Sequence, residues 1–278
     1  MPSSALHCNS QVGTASTAMK ELMMSALLAG ALMLAPETTD SLAGHTIVID
    51  PGHGGRDSGA IGNGIEEAPV VLALSRNIAR ALRSEGAKVV LTRGTDRYVV
   101  ASRHAVGLGR RSLAARVELA REAHADLFLS IHANKYLGDS SIHGTQVFVG
   151  GSPDTNRMAL ATCLQERLNQ VTLTHWPVNQ TQSLYLMQHL TIPAALVEVG
   201  YLSNPHEARL LVNPVHQERL AAAVAQGLRC YYTRSSSPAS MARQPAHVHQ
   251  ARHSLLRKST ATAGEVPSIL APLRSRRN

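Results

Sequence analysis

Between His45 and Tyr232 the sequence alternates short β-branched runs with longer stretches of helical periodicity. This alternation is typical of βαβ units built around a mostly parallel sheet. The predicted strands are Thr46–Asp50, Lys88–Thr92, Asp126–Ile131, Thr145–Val149 and Ala194–Val199. The predicted amphipathic helices are Val70–Arg83, Leu113–Ala123, Asn156–Asn169 and Val215–Tyr231. The sequence therefore predicts one α/β domain over residues 45–232, in three layers, with helices flanking a mostly parallel central sheet.

The first 44 residues lie outside this pattern and predict an export signal or membrane anchor followed by a linker. Lys20 precedes an apolar run from Leu22 to Ala35. The run is short for a membrane-spanning helix, which needs about 20 apolar residues, but suits a signal segment of about 7 to 15. A small-residue stretch ending at Ala43 is a candidate cleavage site. The sequence leaves open whether the segment is cut or kept, and an amphipathic core helix is the alternative.

The positive charge of the chain is concentrated at its end. Residues 233–278 hold eight Lys or Arg and one Glu, so this tail carries +7 of the total net charge of +8. The tail is rich in Ser, Ala, Pro, Arg and His and has no sustained apolar period, which predicts disorder. Its charge also suits contact with anionic wall polymer or a membrane surface. Because the rest of the chain is nearly neutral, the basic character does not indicate a nucleic-acid-binding fold.

Cysteines and aromatic residues are both scarce. Cys8, Cys163 and Cys230 are widely separated and odd in number, with no CxxC pair and no zinc-finger spacing. This spacing predicts no disulfide framework. Two Phe, six Tyr and one Trp argue against a stacking platform for single-stranded nucleic acid.

Two predicted parallel strands end in histidines. The first runs into the glycine-rich turn DPGHGG at residues 50–55, which carries His53, and the third runs into SIHAN at residues 130–134, which carries His132. Open α/β sheets build their sites at this carboxyl edge. The turn lacks the spacing of a phosphate-binding loop. The sequence therefore places two imidazoles at one edge of the sheet.

An acidic pair, Glu66 and Glu67, precedes the first predicted helix. Two imidazole nitrogens and one carboxylate oxygen suit a catalytic zinc site with an open position. Acidic residues are also common at helix N-termini, where they interact favourably with the helix dipole. From spacing alone, the helix-dipole interpretation is favoured.

The fifth predicted strand contains a single carboxylate, Glu198, between apolar neighbours. A buried carboxylate without a partner costs several kcal/mol, so such a residue has a charged or metal partner, a raised pKa or an outward position. Near an activated water it would serve as a general base. The alternative is a half-exposed edge strand with Glu198 in solvent.

These segments resemble the zinc-dependent N-acetylmuramoyl-L-alanine amidases of the Amidase_3 family, over about Thr46 to Tyr232. The family shows a DPGHGG loop, a Glu before a helix, a SIHAN-like strand end and a VEVGFLSN-like strand. This chain has VEVGYLSN at residues 197–204 for the last of these. The Glu before the helix departs from the family pattern, because the family has Glu-Lys where this chain has Glu67-Ala68. Counting back from Leu72 selects Glu67 rather than Glu66.

The resemblance implies that His53, Glu67 and His132 hold Zn²⁺ and that Glu198 acts as base and then acid. Water activated by the zinc would cleave the amide between N-acetylmuramic acid and L-alanine in peptidoglycan. Arg116 falls where the family has a helical Arg, which implies substrate binding, although a solvated helix face is an equal alternative. Asn134 is expected to help shape the site. His143 is the alternative metal ligand, and His45 and His189 are expected at the surface.

The subclass that the chain most resembles is the germination-type amidase of spore formers, which modifies cortex peptidoglycan. The basic segment from Tyr98 to Arg111 is expected to line a groove for an acidic glycan. We expect an extracytoplasmic enzyme, targeted by its terminal segments or by an activating or anchoring partner protein, with membrane association through the N-terminal segment. Two alternatives remain open, an inactive peptidoglycan-binding domain and a zinc peptidase that acts on the stem peptide.

Overall fold

The computed structural model describes residues 42–99, 108–182 and 184–235. Most of the predicted export segment, the tail after Ser235 and residues 100–107 of the predicted basic insertion lie outside the described residues. Within the described ranges, no helix combines the length and the apolar character needed to cross a bilayer.

One six-stranded sheet forms the centre of the domain, in the order β4-β1-β5-β8-β6-β7. Neighbouring strands are parallel except for β6 and β8, which are antiparallel. The strands are β1 Thr46–Pro51, β4 Lys88–Leu91, β5 Leu127–Asn134, β6 Gln146–Gly150, β7 Asn179–Thr181 and β8 Ala194–Tyr201. A separate two-stranded hairpin comprises β2 Ile61–Gly62 and β3 Ile65–Glu66. The predicted mostly parallel sheet is confirmed.

Six helices in the described ranges cover the two faces of the sheet. They are α1 Glu67–Ser84, α2 Leu108–Glu122, α3 Thr155–Thr172, α4 Tyr185–His189, α5 Pro205–Leu211 and α6 Pro214–Ser235. Helices α1, α3 and α6 pack on one face and form the larger core. Helices α2 and α4 contribute to the smaller core on the other face. The three-layer α/β architecture is confirmed, and α6 continues to Ser235, beyond the predicted domain end.

The alternation along β5 decides where its polar residues point. Leu129 and Ile131 belong to the larger core, whereas Phe128 belongs to the smaller one. Because successive side chains of a strand point to opposite faces, His132 lies on the same face as Phe128. The apolar residues of this face sit towards the start of the strands and the polar ones at their carboxyl ends. The fold therefore leaves a polar region on the α2 side of the sheet.

The prediction of no disulfide framework was wrong, because Cys163 on α3 and Cys230 on α6 are bonded. Sequence spacing gave no signal, since the two cysteines are 67 positions apart and the packing of the two helices brings them together. Gly227 allows this close approach. A Cβ added to it would lie 3.0 Å from the Leu164 Cα atom, so a larger residue would crowd the backbone of the facing helix.

Replacing Cys163 and Cys230 by Ala should lower the free energy of unfolding by roughly 2–4 kcal/mol, because the bond restricts the unfolded chain across a long loop. Urea unfolding of the oxidised protein measures the loss, and Cys8→Ala is the matched control. A Cys8→Ala chain that is isolated and denatured without reductant should expose no reactive thiol. Two reactive thiols per chain would contradict the pairing.

Candidate metal centre and active site

The DPGHGG turn carries His53 away from the end of β1, and its backbone carbonyls are bound by a buried arginine. Arg93 is fully buried. Its Nε donates to the Pro51 carbonyl at 3.0 Å and its Nη2 to the Gly52 carbonyl at 2.7 Å. Each such bond to a charged donor stabilises the turn more than a neutral hydrogen bond would. Arg93 was not identified from the sequence, although it directly follows a predicted strand.

Arg116 approaches the same turn from α2. Its guanidinium forms an ion pair with Asp50, and it donates to the Pro51 carbonyl at 2.9 Å and the His53 carbonyl at 2.8 Å. The side chain is 4% exposed. This placement differs from both sequence interpretations, a substrate-binding group and a solvated helix face. Because its donors are occupied by protein oxygens, Arg116 supports the loop that carries His53.

Asp50 is the buried counter-charge of this network. Besides the ion pair with Arg116, its carboxylate accepts from the Thr92 hydroxyl at 2.5 Å and from the Ser130 hydroxyl at 2.9 Å. Three elements, β1, α2 and β5, are thereby joined directly beneath the turn. A buried carboxylate is tolerated when its charge is paired and its oxygens accept hydrogen bonds, as here.

Glu67 lies between the two predicted histidine ligands. Its Oε2 is 3.1 Å from His53 Nε2, and its Oε1 is 2.9 Å from His132 Nδ1. Each oxygen also accepts a backbone hydrogen bond, from Ala60 at 2.8 Å and from Ala133 at 3.0 Å. Glu67 is the first residue of α1 and is buried, whereas Glu66 is exposed. The structure therefore brings together the three residues that the resemblance selected.

The ionisation of this cluster follows from opposing effects. Burial alone would raise the pKa of Glu67, but the hydrogen bonds from His132 and His53 outweigh it and hold that pKa well below its ordinary value. Burial alone would lower the pKa of His53, but Glu67 and then Asp57 raise it to about 9. The carboxylate is thus ionised at neutral pH.

Asp57 sets the orientation of the His53 ring. Its Oδ2 lies 3.0 Å from His53 Nδ1. An acceptor on one ring nitrogen fixes the other nitrogen for a ligand, which is the usual arrangement of metal-binding histidines. With Nδ1 held by Asp57, Nε2 faces Glu67. Asp57 was not identified from the sequence.

The donor set fits a metal ion. One atom each from His53, Glu67 and His132 lie within 4.8 Å of one another, and this is the only such group found in the described ranges. The His53 and His132 side chains keep 24% and 20% exposure, so the cluster is open to solvent on one side. Two imidazoles and a carboxylate with an open side are the donors of a catalytic zinc site.

Two glycines make room for the ligands. A Cβ on Gly52 would lie 2.4–2.7 Å from three ring atoms of His132. A Cβ on Gly59 would lie 2.5 Å from Glu67 Oε2 and 2.7 Å from His53 Cδ2, and the backbone there has a φ of +69°. Both positions exclude a side chain by direct overlap with the cluster.

Glu198 lies beside the cluster on the next strand. It is the register partner of His132 in the parallel pair of β5 and β8, so the two side chains lie on one face. The residue is partly exposed, but its Oε2 atom is buried and has no hydrogen-bond partner in the described part of the chain. Burial, together with the charge of Glu67, raises the pKa of Glu198 to about 7, against the opposing effect of the histidines. The half-exposed edge-strand alternative does not apply, because β8 is central in the sheet.

The remaining predicted residues lie around or away from this cluster. Asn134 ends β5, where its side-chain oxygen accepts from the Lys135 backbone at 2.7 Å. His143 is exposed and bonded to the Ser141 carbonyl, outside the metal-binding group. His189 is exposed on α4 and stacks on Tyr185.

Gly52→Ala should weaken metal binding at least tenfold while the domain stays folded, because the added methyl group overlaps the His132 ring. Titration of the metal-free protein with Zn²⁺ measures the affinity, and circular dichroism confirms the fold. Gly94→Ala is the control, since a Cβ there meets no atom within 4 Å. Equal zinc affinities for the two variants would contradict this account of Gly52.

Known proteins are similar to this chain in sequence and fold. The family model described as N-acetylmuramoyl-L-alanine amidase, Amidase_3, matches residues 47–230. The germination-specific N-acetylmuramoyl-L-alanine amidase of Bacillus subtilis is 35% identical over 200 residues, covering 71% of this chain and 84% of the relative.

Solved structures show the same similarity. The CwlD amidase from Clostridioides difficile, determined in complex with the GerS lipoprotein, has a TM-score of 0.64 and 30% identity, covering 68% of this chain and 98% of that one. The amidase AmiC2 of Nostoc punctiforme has a TM-score of 0.58 and 31% identity, covering 69% and 99%. With its fold, its His-Glu-His cluster and these matches, the chain belongs to the Amidase_3 family of N-acetylmuramoyl-L-alanine amidases, which are peptidoglycan hydrolases.

Proposed function

We propose that His53, Glu67 and His132 hold a zinc ion and that Glu198 is the general base and acid of amide cleavage. The observation that carries this proposal is the Glu67 carboxylate between two imidazoles, with the unpartnered carboxylate of Glu198 at the next register position. The substrate is peptidoglycan, and the bond cleaved joins the lactyl group of N-acetylmuramic acid to L-alanine.

The metal ion and Glu198 would have separate roles in the reaction. When bound, zinc supplies a Lewis acid that polarises the scissile carbonyl and makes water a stronger nucleophile at neutral pH. Glu198 accepts the proton of the attacking water and donates it to the nitrogen of the leaving L-alanine. A pKa of about 7 suits both steps, because the group exchanges protons readily near neutral pH. The products are a lactyl carboxylate on the glycan and a free amino terminus on the stem peptide.

The other residues of the site hold the metal ligands and the loop backbone in place. Asp57 orients His53, and Arg93 and Arg116 fix the backbone of the loop that carries it. The backbone amides of Ala60 and Ala133 hold the two oxygens of Glu67 towards the two rings. Asn134, at the end of β5, shapes the rim of the site.

We also propose the cellular setting. The catalytic domain spans residues 45–232 and follows an export signal or anchor, and a basic tail follows it. The disulfide between Cys163 and Cys230 supports an extracytoplasmic location, because such bonds persist in oxidising compartments. The germination-specific relative supports a role in spore cortex modification. The complex of the C. difficile amidase with a lipoprotein supports an activating or anchoring partner.

Glu198→Gln should lower the rate of peptidoglycan hydrolysis by about 10²- to 10⁴-fold, the usual contribution of a general acid–base group. The zinc content should be unchanged. The assay follows new L-alanine amino termini released from purified peptidoglycan, and His53→Ala should abolish both activity and metal binding. Glu118→Gln is the matched control, because the Glu118 side chain on α2 is half-buried and pairs only with Arg121 among the described residues.

Mass analysis of the products separates the alternatives. The proposal predicts intact stem peptides and glycan without peptide. Fragments cut between amino acids would instead indicate a peptidase. A wild-type protein that binds peptidoglycan without releasing amino termini would indicate an inactive binding domain. Full activity in the Glu198→Gln variant would contradict the assigned mechanism.

A further inference from the structure

The strand on the other side of Glu198 also carries a polar side chain. Glu198 pairs with His132 on β5 and with Gln146 on β6. Residues that are directly opposite on neighbouring strands point to the same face, with Cβ atoms about 5 Å apart. Glu198 is therefore flanked by a proposed metal ligand on one side and by an amide on the other. Gln146 is 8% exposed and has no role in the mechanism above.

An irregularity in β8 brings Tyr201 to this amide. The register passes from His132 opposite Glu198 to Asn134 opposite Tyr201, so β8 contains one extra residue. Gly200, within this stretch, has a φ of +149°, a region that favours glycine. Without the extra residue, Tyr201 would point to the opposite face of the sheet. The bulge therefore turns the Tyr201 side chain onto the face of the site, as bulges next to active sites do.

A backbone hydrogen bond to Glu207 holds Tyr201 in this orientation. Its amide nitrogen donates to Glu207 Oε2 at 2.8 Å, and Glu207 Oε1 accepts from the Gly144 backbone at 2.9 Å. Glu207 thereby joins the end of β8 to the segment that leads into β6. Tyr201 and Gln146 are thus fixed relative to each other by one buried carboxylate.

The Tyr201 hydroxyl donates a hydrogen bond to Gln146 Oε1 at 2.8 Å. Tyr201 is 5% exposed, and burial, followed by the charges of Glu198 and Glu207, raises the pKa of Tyr201, so the hydroxyl is a donor at neutral pH. With its oxygen occupied, the amide of Gln146 has its NH2 group left as a donor. The side-chain hydrogen bonds of the described residues include none from that group, and Glu198 Oε2, on its register partner, has no hydrogen-bond partner either.

We propose that Gln146 is a substrate-binding residue whose NH2 group donates to a carbonyl oxygen of the muramyl peptide beside the scissile bond, and that Tyr201 is its positioning residue. The inference rests on the proposed function of the site. The hydroxyl of Tyr201 fixes which end of the amide faces the substrate. It also keeps the amide from turning to bond Glu198, which would weaken that base.

The experiment compares Gln146→Met, Tyr201→Phe and the double variant on a soluble muramyl-pentapeptide disaccharide. We expect KM to rise about tenfold in Gln146→Met, the usual scale for one lost hydrogen bond, and severalfold in Tyr201→Phe. The kcat value should stay within about twofold of the wild type in both, since the general base is untouched. Because the two residues act through one hydrogen bond, the double variant should have the KM of Gln146→Met alone.

Zinc content that matches the wild type, and circular dichroism showing a folded protein at the assay temperature, separate this role from a merely structural one. Tyr185→Phe, on α4 and away from the carboxyl edge, is the control and should leave KM unchanged. Unchanged KM in Gln146→Met, or increases in KM that multiply in the double variant, would overturn the inference. Loss of zinc without a change in the KM of the loaded enzyme would also overturn it. An inactive wild type would contradict the proposed function instead.

Discussion

The site depends on one buried carboxylate, Glu67, held between the imidazoles of His53 and His132. An isolated buried carboxylate is costly, so the charge must be offset by neighbours that face it. Here two rings and two backbone amides supply that compensation. The same negative charge and nitrogen donors favour the binding of a cation. A buried, ionised carboxylate beside two partly exposed imidazoles is a donor set that suits zinc with an open coordination position.

Buried charged side chains hold the loop backbone beneath this cluster in place. The loop that carries His53 directs its carbonyls at Arg93 and Arg116, and Asp50 balances part of that charge. Because these groups are buried, their hydrogen bonds are not exchanged for bonds to water and keep a fixed geometry. Preorganisation of this kind lets a metal site keep its donors in place before the substrate arrives. The chemistry that we propose at the sheet edge therefore relies on buried residues beneath the loop as well as on the cluster itself.

Much of this architecture could be predicted from the sequence. Parallel strands that end in DPGHGG and SIHAN place their histidines at one edge of the sheet, and this placement does not depend on the conformation of the connecting loops. Three features could not be predicted, each for a physical reason. The disulfide joins Cys163 and Cys230 through helix packing, which leaves no mark on their spacing. Arg116 is buried by tertiary contacts that helical periodicity does not reveal. The proximity of Tyr201 and Gln146 depends on a one-residue bulge, and a shift of one residue reverses the face of a side chain.

The central claim is that His53, Glu67 and His132 hold one zinc ion at this edge. Crystals of the zinc-loaded protein, measured on both sides of the zinc absorption edge, test it most directly. The account predicts a single strong anomalous peak, about 2 Å from a donor atom of each of the three side chains. A peak located elsewhere, for example at His143, or no peak at this cluster in protein that contains zinc, would contradict it.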